Sequence, residues 1–419
     1  MTKRTAALPV LPILSALLAL STALAAPVTF LSVQNEDQGA TKIIGELARE
    51  YQKTNPAAAY TYQNSPQTDL AQKLQLLAAS SSLPAVYNVD QPALLDQLYR
   101  SGQAADLEAT FKKLGIYNTL NPAAVALIKR QNGGKLVTLP LELNIEGFWY
   151  NKAIFTANGL KEPRTWAELI KDADALNAKG IQPFAASGDQ KWPLTRLIGG
   201  YAARKYGYDV MDRVKAGTLK LTDPGFVEAA KAVQDLGKKN YFGKGVNTVD
   251  YATAVDQFLQ GKAAMIYMGS WVLSDFNDAA RNKIGTQNIG LFNFPAVTGG
   301  KGSTNDWSLN TGISTAVNQK LNDADLGNWI KYVFTRYGNK ALAESGMITG
   351  FTVTQTPKNL PVLTSLTQAK LRAVKNGYLW FEANFSPKAT SVATDNAQLL
   401  VTGDITPQDY MSKLQDALK

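Results

Sequence analysis

Apolar and polar positions along this chain switch repeatedly between two periods. From Val28, "VTFLSV" reads as a buried-type strand, and the polar loop "QNEDQG" follows it. "ATKIIGELAREYQKTN" then sets Ile43, Ile44, Leu47 and Tyr51 on one helical face. "AAAYTYQ" predicts a second strand, and "DLAQKLQLLAASSS" a second amphipathic helix carrying Leu70, Leu74 and Leu77. A third strand, "PAVYNVD", ends at Asp90 and leads into a helix through "PALLDQLYRSG". This alternation predicts an α/β fold with a parallel sheet covered on both faces. Ligands of such sheets sit outside the carboxyl ends of the strands. Glu36 and Asp37 of the polar loop, together with Asp90, are therefore expected on one rim.

The pattern restarts near "KLVTLPLELNIEGFWYNKAIF", a long strand-like run, and continues into the helix "TWAELIKDADALNAKG". Thr165 and Glu168 at the start of that helix have capping-box spacing. Helical segments run on to residue 260. Then comes "FLQGKAAMIYMGSWVLSDF", which reads as a helix end, a glycine stop, a short apolar strand and a new helix. "IGLFNFPAV" and "WSLNTGISTAV" read as further strands, and helices dominate from Asp323 onward. With no repeat and no flexible linker, two lobes joined by crossing strands are expected.

Composition narrows the chemistry. At 419 residues the chain exceeds one ordinary core. The N-terminus, "MTKRTAALPVLPILSALLALSTALAAPVTF", has a basic start, an apolar run and an Ala-x-Ala site, the layout of a secretory leader cut after Ala25. The absence of cysteine excludes disulfides and a lipid-modified cysteine anchor, so the periplasm is the expected compartment. Without cysteine and histidine, Ser-His-Asp and Cys-His nucleophiles and the usual zinc sites cannot be built. No metal or cofactor is implied. The net charge of +9 comes from dispersed residues such as Lys112-Lys113, which describes a solvated surface rather than a nucleic-acid site.

Seven tryptophans carry the remaining signal. Trp166 follows its helix cap, and Trp329 lies on an apolar helical stripe, so both read as structural. Trp149, Trp192, Trp271, Trp307 and Trp380 fall in strand ends or loops. Indole faces match the C–H faces of pyranose rings and freeze few rotamers on binding. In the Trp271 segment, Gly261 suits a left-handed helix stop, Gly269 a tight strand exit and Ser270 a helix N-cap. In "LPLELNIEGFW", Glu142, Asn144 and Glu146 alternate and face one side of an extended segment. Paired carboxylates there suit a glycoside hydrolase; acceptors for sugar hydroxyls, or plain solvation, are the alternatives. "GGKGST" lacks the first glycine of a phosphate loop, since position 295 is proline.

Two segments, "WYNKAIFTANGLKEPRTWAELI" and "FLQGKAAMIYMGSW", closely resemble the sugar-binding branch of the extracellular solute-binding proteins of ABC importers. The matching residues are Tyr150-Asn151-Lys152, Pro163, Thr165 to Glu168, and Gly261, Ala264, Met265, Gly269 and Trp271. The tail "LLVTGDITPQDYMSKLQDAL" is similar too. The resemblance implies a two-lobed periplasmic-binding-protein fold, with the ligand cleft between lobes joined by crossing hinge segments. It divides the chain, after a leader at 1–25, into one lobe of 26–142 and 308–349 and a second of 143–307 and 350–419. It also implies a monomeric, non-catalytic receptor that hands a carbohydrate to a membrane permease. Trp271 matches a sugar-stacking tryptophan, Trp192 an aromatic cluster, and Asp90 a loop that contacts sugar. Asn144 stands where maltodextrin-binding relatives carry a ligand-contacting carboxylate, a departure that weakens the case for maltose as the ligand. Trp307 and Trp380 are candidates for a further stacking face and Glu36 and Asp37 for hydroxyl reading, and Gly269, at the strand exit before Trp271, is counted with the ligand-binding residues. A polyamine or metal solute on the same fold, and a hydrolase using Glu142 and Glu146, remain the other readings.

Overall fold

The computed structural model describes residues 27–419, so the expected leader lies outside the described residues. In chain order the strands are β1 (Val28–Ser32), β2 (Tyr60–Asn64), β3 (Val86–Asn88), β4 (Asn144–Asn151), β5 (Gln182–Ala185), β6 (Ala263–Gly269), β7 (Ile289–Phe292), β8 (Trp307–Asn310), β9 (Thr315–Val317) and β10 (Gly377–Tyr378). They form two sheets, each wrapped by helices. The fold is the expected two-lobed α/β architecture.

The first sheet has the order β2-β1-β3-β9; β1 runs parallel to β2 and β3, and β9 runs antiparallel to β3. Period-two patterning sends its side chains to two helix layers. Phe30, Val86 and Val317 join one apolar core with Ile43, Ile44 and Trp329, while Leu31, Tyr87 and Ala316 join another with Leu70, Leu74 and Leu95. The second sheet has the order β10-β8-β4-β6-β5, with β7 also paired to β4. Its faces separate likewise, Phe148, Met265 and Tyr267 to one core and Trp149, Ile266 and Met268 to the other.

Three chain segments cross between the lobes, and they are bonded side by side. Leu139 N–H donates to Thr315 O at 2.8 Å, Leu143 N–H to Ile348 O at 2.9 Å, and Gly350 N–H to Pro140 O at 2.9 Å. The expected single strand through "WSLNTGISTAV" is therefore two strands in different sheets, with Gly312 at φ +78° in the turn between them. β8 pairs with β4 in the second sheet, while β9 pairs with β3 in the first. Phe351 packs in the first lobe's core, and Thr352 N–H donates to Thr119 O at 2.7 Å.

The capping box at Thr165 and Glu168 is formed, and Gly261 takes the left-handed conformation after the helix Tyr251–Leu259. Ser270 does not cap a helix. It opens a short 3-10 turn, and its hydroxyl is drawn across the strands, donating to Asn144 Oδ1 at 2.9 Å and accepting from Ile145 N–H at 3.3 Å. Among the described residues no helix is long and apolar enough to cross a membrane.

Candidate functional site

The carboxyl ends of β1, β2 and β3 share one edge of the first sheet, as the register Ser32 to Asn64 and Leu31 to Tyr87 requires. β9 enters that edge from the hinge. There Asn88, 3% exposed, accepts from Ser32 Oγ at 2.7 Å and donates to Thr315 Oγ1 at 2.9 Å. A small concavity lies beside it, lined by Phe30, Gln34, Asn88, Ile313, Thr315 and Glu142. Glu142 belongs to the first crossing segment, so its carboxyl sits where the lobes meet.

From Glu142 a chain of buried polar groups runs into the second lobe. Asn144 Nδ2 donates to Glu142 Oε2 at 2.6 Å and to Asn310 Oδ1 at 3.1 Å. Asn310 Nδ2 in turn donates to Glu146 Oε1 at 3.0 Å. Glu146 Oε2 lies 3.2 Å from Arg196 Nε, and Arg196 Nη1 donates to Glu382 Oε1 at 3.2 Å. Thr195 Oγ1 donates to the other Glu382 oxygen at 3.0 Å. Burial pushes the Glu142 and Glu382 carboxyls above their ordinary value of 4.5, opposed by the Asn144 hydrogen bond in one case and chiefly by Arg196 in the other.

Half-exposed aromatic rings stand over this network. Trp192 and Trp271 meet edge to face, centroids 5.9 Å apart at 66°. Trp271 Nε1 donates to Tyr251 Oη at 3.1 Å, and Tyr251 lies 6.4 Å from the Trp192 ring. Trp380, in the loop after β10, has its ring centre 5.1 Å from the Arg196 guanidinium carbon; for Trp192 the distance is 5.2 Å. All three indoles keep part of their surface in solvent while their polar edges or faces are anchored.

Residues 34–335 match the family model for the bacterial extracellular solute-binding protein. The chain belongs to that family. The multiple sugar-binding protein of Streptococcus mutans is 25% identical over 88% of this chain and 87% of its own length. A probable sugar-binding periplasmic protein of Mesorhizobium japonicum is 27% identical over 54% of this chain and 53% of its own length. Among solved structures, a chitin oligosaccharide binding protein superposes with a TM-score of 0.84 at 23% identity, covering 94% of this chain and 98% of that one. A raffinose complex of the binding protein RafE gives 0.73 at 22% identity, with the same shares covered.

Within this solute-binding protein the candidates fall into distinct places. Trp271, Trp192 and Trp380 come together, and the Trp271 ring lies against the Cα of Gly269. Trp307 does not join them. It is 5% exposed in the second lobe's core, its indole against Gly147, and presents no free face. Trp149 is wholly buried, donating to Met268 O at 3.0 Å. Asn144, 2% exposed, has both ends of its amide occupied, so it positions its neighbours rather than offering free hydrogen bonds. Asp90 is half-buried on the first sheet's carboxyl edge, where burial raises its pKa against a hydrogen bond from Gln67. Glu36 is turned to an ion pair with Arg49 on the neighbouring helix, and Asp37 is exposed. Arg196, Glu382 and Tyr251 were not anticipated. A local signal existed for Arg196 alone, which sits one helical turn after Trp192.

Proposed function

We propose that this protein is a periplasmic carbohydrate receptor that takes a sugar between its lobes and delivers it to the membrane permease of an ABC importer. The observation that carries the reading is the cluster of partly exposed Trp192, Trp271 and Trp380, in which Trp192 packs on Trp271 and both Trp192 and Trp380 face the largely buried Arg196. Such rings offer flat apolar surface at low entropic cost, matching pyranose C–H faces. Family membership and the sugar ligands named for its relatives support the same class of cargo. Asp90 and Gln34 on the first lobe's edge are the groups assigned to hydroxyl reading, so that a sugar touching both lobes favours their closure. The protein acts as a monomer after removal of its leader. No catalytic role is assigned to Glu142 or Glu146, each of which is held by an asparagine amide.

Calorimetry and tryptophan fluorescence against a panel of mono- and oligosaccharides test the reading. Saturable binding with a fluorescence change is expected, with no turnover of aryl glycosides. Silence across the panel overturns it.

A further inference from the structure

We propose that Arg196 is the positioning residue of the aromatic wall: it fixes Trp192 and Trp380 relative to each other and ties both to the hinge network. The inference rests on the carbohydrate reading for its ligand, but its geometry stands independently. Arg196 follows Trp192 by one turn of the helix Trp192–Tyr206, so the two share a helical face. Trp380 arrives from a segment far away in sequence. The guanidinium carbon lies 5.2 Å and 5.1 Å from the two ring centres, within the range of cation–π attraction, which strengthens where water is excluded. The Arg196 side chain is only 13% exposed.

A largely buried cation requires compensation, and the planar fork meets a carboxylate in each of two directions. Nε faces Glu146 at 3.2 Å, and Nη1 donates to Glu382 at 3.2 Å. Glu382 lies two residues after Trp380, so the loop carrying that indole is held by charge as well as by ring contact. Glu146 reaches Asn310 and through it Asn144 and Glu142 at the crossing segment. One side chain thus joins the two elements of the ligand-facing wall and links that wall to the lobe junction. A lysine keeps the charge but has neither the flat face nor the fork.

The test measures sugar affinity and the near-ultraviolet circular dichroism of Arg196→Met, Arg196→Lys, Trp192→Leu, Trp380→Leu and the Arg196→Met/Trp380→Leu double variant. Arg196→Met is expected to weaken binding at least tenfold and to abolish, without ligand, the part of the indole signal lost in Trp192→Leu and Trp380→Leu. Arg196→Lys is expected to recover only a minor part of either. The double variant should bind no more than about threefold worse than its weaker parent, because both changes remove one unit. Multiplicative losses in the double variant, or a ligand-free indole signal unchanged in folded Arg196→Met, overturn the proposal. If Arg196→Met does not fold, Arg196→Lys and Glu382→Gln must show the same loss of indole signal, and unchanged spectra overturn it. If the wild type binds no sugar, the carbohydrate reading fails while the ligand-free spectra still decide the role of Arg196.

Discussion

The indole of Trp271 rests on the bare Cα of Gly269, so closely that a methyl carbon at position 269 would lie 1.9 Å from its Cζ3 atom. Gly269 closes β6 at φ −83° and ψ 166°, a conformation open to any residue, so the glycine is needed for space rather than for backbone freedom. Gly269→Ala is expected to expel the Trp271 ring from its seat against Trp192 and Tyr251. Sugar affinity should fall at least tenfold with little change in the unfolding midpoint. Calorimetry alongside urea unfolding checks both, and an alanine variant that binds normally would return Trp271 to a purely structural role.

Two tryptophans that looked alike in the sequence should separate cleanly on truncation. Trp271→Ala removes a half-exposed platform and is expected to cost about 1–3 kcal/mol of sugar binding, by analogy with other aromatic stacking surfaces. Trp307→Ala empties a core position against Gly147 and is expected to cost about 3–5 kcal/mol of stability. Measuring affinity and unfolding free energy on both variants checks the contrast. Equal losses of binding would put Trp307 back among the ligand contacts.

Lys191, the residue before Trp192, adopts φ 62° and ψ −51°, and Trp192 N–H donates across it to Gln190 O at 2.6 Å. This is a γ-turn of the rare positive-φ form, strained for any residue with a Cβ. It starts the helix on the aromatic cluster and aims Trp192 outward. Lys191→Gly should relieve strain of about 1–3 kcal/mol. Against this stand a chain-entropy cost of about 0.5–1 kcal/mol and an exposed ion pair to Asp395 of little worth. A net gain of about 1 kcal/mol in unfolding free energy is expected, with weaker sugar binding as Trp192 loosens. A destabilised glycine variant would show that the turn is not strained.

The fold was legible because its signals are local. The period switches of the first lobe place β1, β2, β3 and their helices, and the Gly261 to Trp271 segment gave its strand and turn. What escaped were events decided by distant partners. Ser270 has every local mark of a helix cap, yet Asn144 and Ile145, on the neighbouring strand, claim its hydroxyl. β8 and β9 read as one strand because no proline or charged residue marks the turn at Gly312, and only pairing with β4 and β3 assigns them to different sheets. Trp307 and Trp380 could not be ranked from sequence, since β8 packing buries one while the Arg196 contact holds the other half-open. The alternation of Glu142, Asn144 and Glu146 correctly put them on one side, but their partners Asn310 and Arg196 lie far along the chain.

Glu142 makes the lobe junction sensitive to pH. Burial raises its carboxyl above 4.5, and the hydrogen bond from Asn144 offsets only part of that rise. The folded state therefore holds a proton more tightly than the unfolded chain does. Stability from this group is full below the unfolded value and declines as pH rises through the window from about 4.5 to the raised folded value. Glu142→Gln keeps an oxygen for the Asn144 amide and removes the titration. Compared with wild type, the variant should gain stability progressively as pH increases across that window and hold a constant advantage above it. Glu382 and Asp90 are raised by the same cause and contribute to both proteins, so the difference between the two profiles isolates Glu142. Urea midpoints from pH 4 to 8 check this. Parallel profiles would mean that Glu142 titrates as an ordinary solvated carboxylate and that the crossing segment is open to water.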